Sequence, residues 1–167
     1  AVNRTLSRRP DLLSRASIHP YLECGCYVLW HLPGKLDDSI FQDIKSTGLS
    51  CRAFGIKKLL LVIPDPAQRD RVRDSLRDSN EVDIVKVMPS LDRARQWITK
   101  KEKSSPYSIK MSSSVEEESL SWLEIKRDLL MSSGPALFVF GEEQEPRSLK
   151  CDVVMRPLTG EKVDDKQ

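Results

Sequence analysis

Short apolar runs alternate along the chain with segments in which apolar residues recur every three or four positions. Runs rich in β-branched and aromatic residues predict strands at 26–32, 57–63, 83–88, 135–140 and 153–155, with a weaker candidate at Tyr107, Ile109 and Met111. The segments between them have helical periodicity. The chain is therefore predicted to alternate strand and helix through most of its length.

Helix ends are marked by residues that satisfy free backbone groups. Asp65 is placed to cap the second helix, with Pro66 at its first position. The third helix is predicted to begin after Ser90, and the first, which starts near Asp37 or Asp38, to end at Gly48. Ser114 and Glu117 have the spacing of a capping box for the fourth helix.

Alternation of strands with helices predicts an α/β fold. The expected architecture is a mostly parallel sheet of five or six strands with helices on both faces. Ligands and partners of such sheets sit at the carboxyl ends of the strands. Within the sequence we expect a basic linker or arm at 1–22, one domain at 23–158 with an extra strand–helix unit at 23–50, and a tail at 159–167.

Charge and cysteine content narrow the function classes. The net charge is only +2, so we expect no nucleic-acid partner and no membrane contact. Four cysteines occur, and the pair Cys24 and Cys26 has the wrong spacing for a redox motif or a zinc half-site. We therefore expect no metal and no cofactor. Reduced thiols indicate a cytoplasmic chain, or the soluble part of a larger, membrane-attached protein.

Residues 56–98, together with 135–141 and 151–158, resemble the receiver domains of two-component signalling proteins. The resemblance rests on the order of strands and helices, on the Pro64-Asp65-Pro66 turn and on the Arg156-Pro157 ending. It implies a flavodoxin- or receiver-like fold. The last two helices of the receiver pattern, its helices 4 and 5, would be atypical. The segment 141–150 between the last two strands is short for a full helix, and the chain ends where the receiver's fifth helix would start.

Receiver chemistry is incomplete in this sequence. The metal-binding acidic pair maps onto Ile63 and Pro64, and no aspartate occurs between Asp92 and Asp128 to accept a phosphoryl group. Arg156 stands where the family has lysine. The resemblance thus implies a pseudo-receiver: a non-catalytic protein-interaction domain, not an enzyme, whose partners are neighbouring kinase or phosphotransfer domains of a phosphorelay.

The candidate interaction and regulatory surface lies along the carboxyl edge of the predicted sheet. Its residues are Pro64, Asp65, Ser90, Gly141, Glu142, Arg156 and Pro157. Within it we expect Arg156 to pair with Asp65 or with Glu142 and to hold the surface in one state.

Two alternatives remain open. The segment at 47–49 followed by the strand at 57–63 also resembles STAS domains, which are binding modules. A degenerate nuclease of the NYN or PIN kind would gather Asp37, Asp38 and Asp65 around a divalent metal ion. Roles as helix caps and a turn residue explain the same three aspartates better than a metal site does.

Overall fold

The computed structural model describes residues 25–32, 35–77, 83–112, 119–132, 134–141 and 151–155. The strands within these residues are β1 (Cys26–His31), β2 (Lys58–Val62), β3 (Val85–Met88), β4 (Tyr107–Met111), β5 (Ala136–Gly141) and β6 (Val153–Met155). The helices are α1 (Ile40–Ala53), α2 (Pro66–Arg77), α3 (Leu91–Glu102) and α4 (Trp122–Met131).

All six strands form one parallel sheet in the order β3-β2-β1-β5-β4-β6. The predicted α/β class and parallel sheet are confirmed. The unit at 23–50, which the sequence sets apart as an addition, supplies the central strand, because β1 pairs with β2 on one side and with β5 on the other. The weak strand candidate at 107–111 is β4, which lies between β5 and β6.

Burial on both faces explains why the central strands read as continuous apolar runs. In β2, Leu60 and Val62 face one side of the sheet and Leu59 and Leu61 the other, and all four are at most 1% exposed. Successive side chains of a strand point to opposite faces. A run without polar positions is therefore what a strand covered on both sides requires.

Helices cover the two faces unequally. Leu59 and Leu61 pack with Ile44 of α1 and Val72 of α2, so α1 and α2 share a face. Phe138 of β5 contacts the cluster of α4, and its register partner Val28 packs with the α1 cluster, which places α4 on that same side. We call it the α1 face. The opposite side, the α3 face, carries α3 over Leu60 and Val62.

The structure corrects two helix boundaries. Helix α1 does not end at Gly48 but continues to Ala53, and a Cβ at Gly48 would lie 3.3 Å from Val85 Cγ2. The missing side chain lets α1 approach β3 closely. The capping box that is present joins Ser121 and Glu124 at the start of α4, while the predicted pair at 114 and 117 lies outside the described residues.

Several expectations fall outside the described part of the chain. These are the arm at 1–22, the tail at 159–167 and the segment 142–150, where the resemblance implies an atypical helix 4. Among the described helices, none has the length and apolar character that crossing a membrane requires.

Candidate functional site

The carboxyl edge of the sheet carries four of the predicted site residues: Pro64 and Asp65 after β2, Ser90 after β3 and Gly141 at the end of β5. Because all strands are parallel, the residues that follow β2 and β3 and the end of β5 lie at the same edge. Ser90, Asp65 and Gly141 therefore occur there in the order of their strands, with the end of β1 between the last two. Glu142, Arg156 and Pro157 lie outside the described residues, so the expected pairing of Arg156 stays a prediction.

Pro64 and Asp65 form the turn between β2 and α2. Asp65 Oδ1 accepts a hydrogen bond from the backbone N–H of Ala67 at 3.0 Å, which is the capping contact expected from the sequence. Arg69 Nη1 donates to the carbonyl oxygens of Ile63 at 2.9 Å and Pro64 at 2.6 Å. Asp65 and Arg69 therefore hold the turn in one conformation. At this edge of the sheet, the contacts of Asp65 are those of a residue that stabilises the start of α2.

Ser90 has the same kind of task at the next strand. Its Oγ accepts a hydrogen bond from the backbone N–H of Arg93 at 3.3 Å, and its backbone is extended. This satisfies one of the amide groups that the first turn of a helix leaves free. The predicted cap of α3 is confirmed.

The aspartates of the nuclease alternative are each engaged in other contacts. Asp37 accepts from Ser39 Oγ at 2.7 Å, and this hydrogen bond, with a second from the backbone of Ile40, lowers the pKa of the Asp37 carboxyl. Asp38 forms an ion pair with Arg71. Across the described ranges, no three histidine, cysteine or acidic side chains form a group that could hold a metal ion.

Gly141 brings the ends of β5 and β1 into close contact. It pairs with His31, the last residue of β1. A Cβ at Gly141 would lie 2.7 Å from His31 Cβ and 3.1 Å from the His31 carbonyl oxygen. Those distances leave no room for a side chain, so glycine is required there. From β1 the chain winds through β2 to β3 on one side of this pair, and β4 and β6 lie beyond β5 on the other side.

Such a reversal of strand order is the usual position of a ligand crevice in a doubly wound sheet. On the α1 face, an apolar cavity of about 360 Å³ opens beside this same strand pair. We call it the β1–β5 groove, and it is lined by Val28, Trp30, Thr47, Cys51 and Phe140. Trp30 and Phe140 are register partners one position before His31 and Gly141. The groove therefore reaches the carboxyl edge.

The lining of the groove is neutral. Burial raises the pKa of the Cys51 thiol, so this group stays protonated at neutral pH. The Thr47 hydroxyl is the polar group beside it. Phe140 is 39% exposed, which is uncommon for an aromatic ring at the end of a central strand. A site of this size and character suits an uncharged planar group.

Sequence reasoning missed the groove residues. Neither Trp30 nor Phe140 was among the expected site residues, and β1, which carries Trp30, is a central strand of the sheet. The alternation of side chains along β1 and β5 could have placed Trp30 and Phe140 on one face, had the pairing of these two strands been known.

One comparison identifies a family. A family model described as SAM-dependent RNA methyltransferase matches residues 40–163, where SAM is S-adenosylmethionine. The match starts at the first residue of α1, extends beyond β6 and covers more than half of the chain. No curated protein matches the chain.

The match shows that the receiver interpretation is wrong. The order of strands and helices that suggested a receiver is common to many α/β folds, and fold does not determine function. The chain lacks the phosphoacceptor and the metal-binding carboxylates because it belongs to another family, and not because a receiver has lost them. The assignments to two-component signalling and to a phosphorelay rested on the resemblance and are therefore wrong as well. The STAS and nuclease alternatives do not agree with the matched family either.

The functional predictions are corrected by the same finding. A non-catalytic interaction domain, not an enzyme, with kinase or phosphotransfer partners was expected, whereas the family is one of methyltransferases. No nucleic-acid partner was expected, whereas the family acts on RNA. The net charge of +2 misled because a sum over the whole chain does not report how charge is distributed on the surface.

Proposed function

The chain belongs to the family of SAM-dependent RNA methyltransferases, and on that premise we propose that it transfers a methyl group from SAM to RNA. We place the cofactor at the carboxyl edge of β1 and β5. The observation that supports this position is the groove of about 360 Å³ beside that strand pair, at the point where the strand order reverses.

The groove suits the adenine ring of SAM in size and chemistry. Cofactor sites are cavities of roughly 300–1,000 Å³ with apolar and aromatic walls and a few polar groups. Trp30 and Phe140 offer aromatic surface, and the Thr47 hydroxyl offers one hydrogen-bonding group. Among the described residues the lining contains no charged side chain. It therefore fits the neutral base rather than the charged methionine half of the cofactor.

Bound SAM supplies a methyl group on a positively charged sulfur, which makes that methyl group open to attack by a nucleophile. The tasks of this chain are to bind and to orient, because holding two reactants in line lowers the entropic part of the barrier. Val28 and Trp30 lie on a central strand and Cys51 on α1. Walls on such rigid elements fix the position of the ring that they hold.

Titration of the full chain with SAM by isothermal calorimetry tests this placement. Phe140→Ala removes the exposed ring and is expected to weaken SAM binding by about tenfold, or about 1.4 kcal/mol. Phe54→Ala is the matched control, because Phe54 is also an exposed phenylalanine, 76% accessible, which directly follows α1 and is not among the described residues that line the groove. Equal affinities of the Phe140→Ala variant and the unaltered chain would contradict the placement.

We also propose a cytoplasmic location. It is supported by the free thiols of the described cysteines Cys26, Cys51 and Cys151, since cysteines stay reduced in that compartment. An RNA substrate agrees with the same location. Fractionation of cells followed by immunodetection of the chain would test it.

A further inference from the structure

The outer surface of α3 carries a row of cations with a tryptophan among them. Arg93, Gln96, Lys100 and Lys101 are exposed, and Trp97 is half-buried. Their spacing of three, four, seven and eight residues places all five on one side of a helix. Lys86 of β3 joins them, because its register partner Leu60 lies on the α3 face. We call Lys86, Arg93, Trp97, Lys100 and Lys101 the α3 stripe.

Trp97 holds two of these cations next to each other. The ammonium groups of Lys86 and Lys101 lie 5.2 Å and 5.1 Å from the centre of its ring, within the range of cation–π attraction. The ring itself is fixed from below by Tyr27, at 6.2 Å and in an edge-on arrangement. Two positive groups are thereby held beside the same ring. Both would attract an anion that binds at this surface.

Within the described part of the chain, no ion pair joins the α3 stripe to an acidic side chain. Asp92 projects from a different side of α3 than Trp97 and Lys101, given 100° of rotation per residue. Glu102 accepts hydrogen bonds from the Tyr27 hydroxyl and from Lys57 Nζ at 3.0 Å, and the charge of Lys101 acts on it more weakly than these partners do. These bonds oppose the desolvation of the carboxylate and leave its pKa below the usual value.

Helix α2 is also rich in arginine, but acidic side chains or backbone carbonyls bind its arginines. On α2, Arg73 pairs with Asp70 at 3.1 Å and Arg77 with Asp74 at 3.3 Å. Arg69 is directed at backbone carbonyls. The charges of α2 are therefore balanced locally. The net charge of the chain is near zero, although its positive charges are distributed unevenly. Most of those on α2 are paired with acidic side chains, whereas among the described residues no ion pair involves those on the outer side of α3.

We propose that the α3 stripe is an RNA-binding surface, which contacts the phosphate backbone through its lysines and Arg93. The proposal rests on the function proposed above and names the surface that holds the substrate. Closely spaced lysine and arginine side chains beside an aromatic ring are the features that bind a single strand without regard to its sequence. Helix α3 begins at Ser90 on the carboxyl edge, so the Arg93 end of the stripe is the end nearest the edge where SAM is placed, although the groove opens on the opposite face of the sheet.

Fluorescence anisotropy of a dye-labelled, single-stranded RNA of mixed sequence tests the surface. The full chain is titrated at several potassium chloride concentrations, without SAM. For Lys86→Ala with Lys101→Ala, the slope of log K against log salt is expected to become shallower by about 1.4, since each lost phosphate contact removes about 0.7. Lys45→Ala with Arg127→Ala is the matched control, as it removes two cations from α1 and α4 on the other face.

The outcomes separate this inference from the proposed function. An unchanged slope in the α3 variant, or an equal change in the control, would overturn the RNA-binding surface and leave SAM binding intact. Competition by polyglutamate as strong as that by unlabelled RNA would indicate a site for acidic polypeptides instead. A chain that binds SAM but no RNA would also overturn the inference. An unchanged SAM affinity in the Phe140→Ala variant would contradict only the placement of the cofactor, whereas a chain that binds RNA but no SAM would contradict the proposed function.

Discussion

At the scale of single residues, two glycines show how the surroundings of a missing Cβ decide its importance. At Gly141 the nearest atoms are the Cβ and the carbonyl oxygen of His31, which belong to the neighbouring strand and cannot move aside. At Gly48 the nearest atoms are the methyl groups of Val85 and Ile84, at 3.3 Å and 3.5 Å. Methyl groups can shift by a few tenths of an ångström.

Gly141→Ala is expected to lower the free energy of unfolding by about 1–3 kcal/mol, because it overpacks the contact between β1 and β5. Gly48→Ala is the matched control. There the gain in helix propensity, about 1 kcal/mol, offsets the tighter contact, and the net change should stay within about 1 kcal/mol. Urea denaturation measures both. A loss at Gly48 as large as that at Gly141 would contradict the distinction.

The sequence predicts residue roles well where the physical reason is local. Asp65 and Ser90 were expected as helix caps, and both make the capping hydrogen bonds. The roles of Gly141 and Phe140 depend on the strand beside them. Nothing within a few positions of either residue indicates that β1 is that strand.

At the scale of elements, the start of each helix depends on which side chain faces the free amides. Helix α3 has Ser90 as a capping side chain. Helix α1 follows Ser39, which makes no such bond, while Asp37 Oδ1 accepts from the N–H of Ile40 at 3.2 Å. The two serines occupy equivalent positions but differ in what they contribute.

Ser90→Ala is therefore expected to destabilise the chain by about 1 kcal/mol, the usual cost of removing an N-cap. Ser39→Ala at the start of α1 should cost less, since the amide of Ile40 keeps its partner in Asp37. Thermal unfolding followed by circular dichroism compares the two variants. Equal losses of stability in the two variants would contradict the conclusion that Ser90 caps its helix whereas Ser39 does not.

Element types were predicted more reliably than element ends. Strand β2 lies within one residue of its expected limits and helix α2 begins at the expected residue, because Pro64 to Pro66 interrupt the chain between them. Helix α1 runs five residues past the glycine expected to end it. Its Cys51 packs with Leu59 and Leu61, and this tertiary burial outweighs the low helix propensity of one glycine.

At the scale of the whole molecule, the alternation of strands and helices fixes the class but not the strand order. Strands that are joined by helical crossovers run parallel. The same strands and helices nevertheless permit several orders of strands in the sheet. In the observed order β1 is central, and this position creates both the β1–β5 groove and the close contact at Gly141. The resemblance to receivers left the unit at 23–50 as an addition, and no residue of β1 was therefore expected at the site.

The central claim is that this chain methylates RNA. The most direct measurement incubates the full chain with SAM carrying a radiolabelled methyl group and with total cellular RNA, and then counts the label in precipitated RNA. We predict label in RNA that increases with time and is absent when RNA is digested beforehand. It should fall severalfold in the Phe140→Ala variant but not in Phe54→Ala. RNA that gains no label above a reaction without the chain would contradict the account.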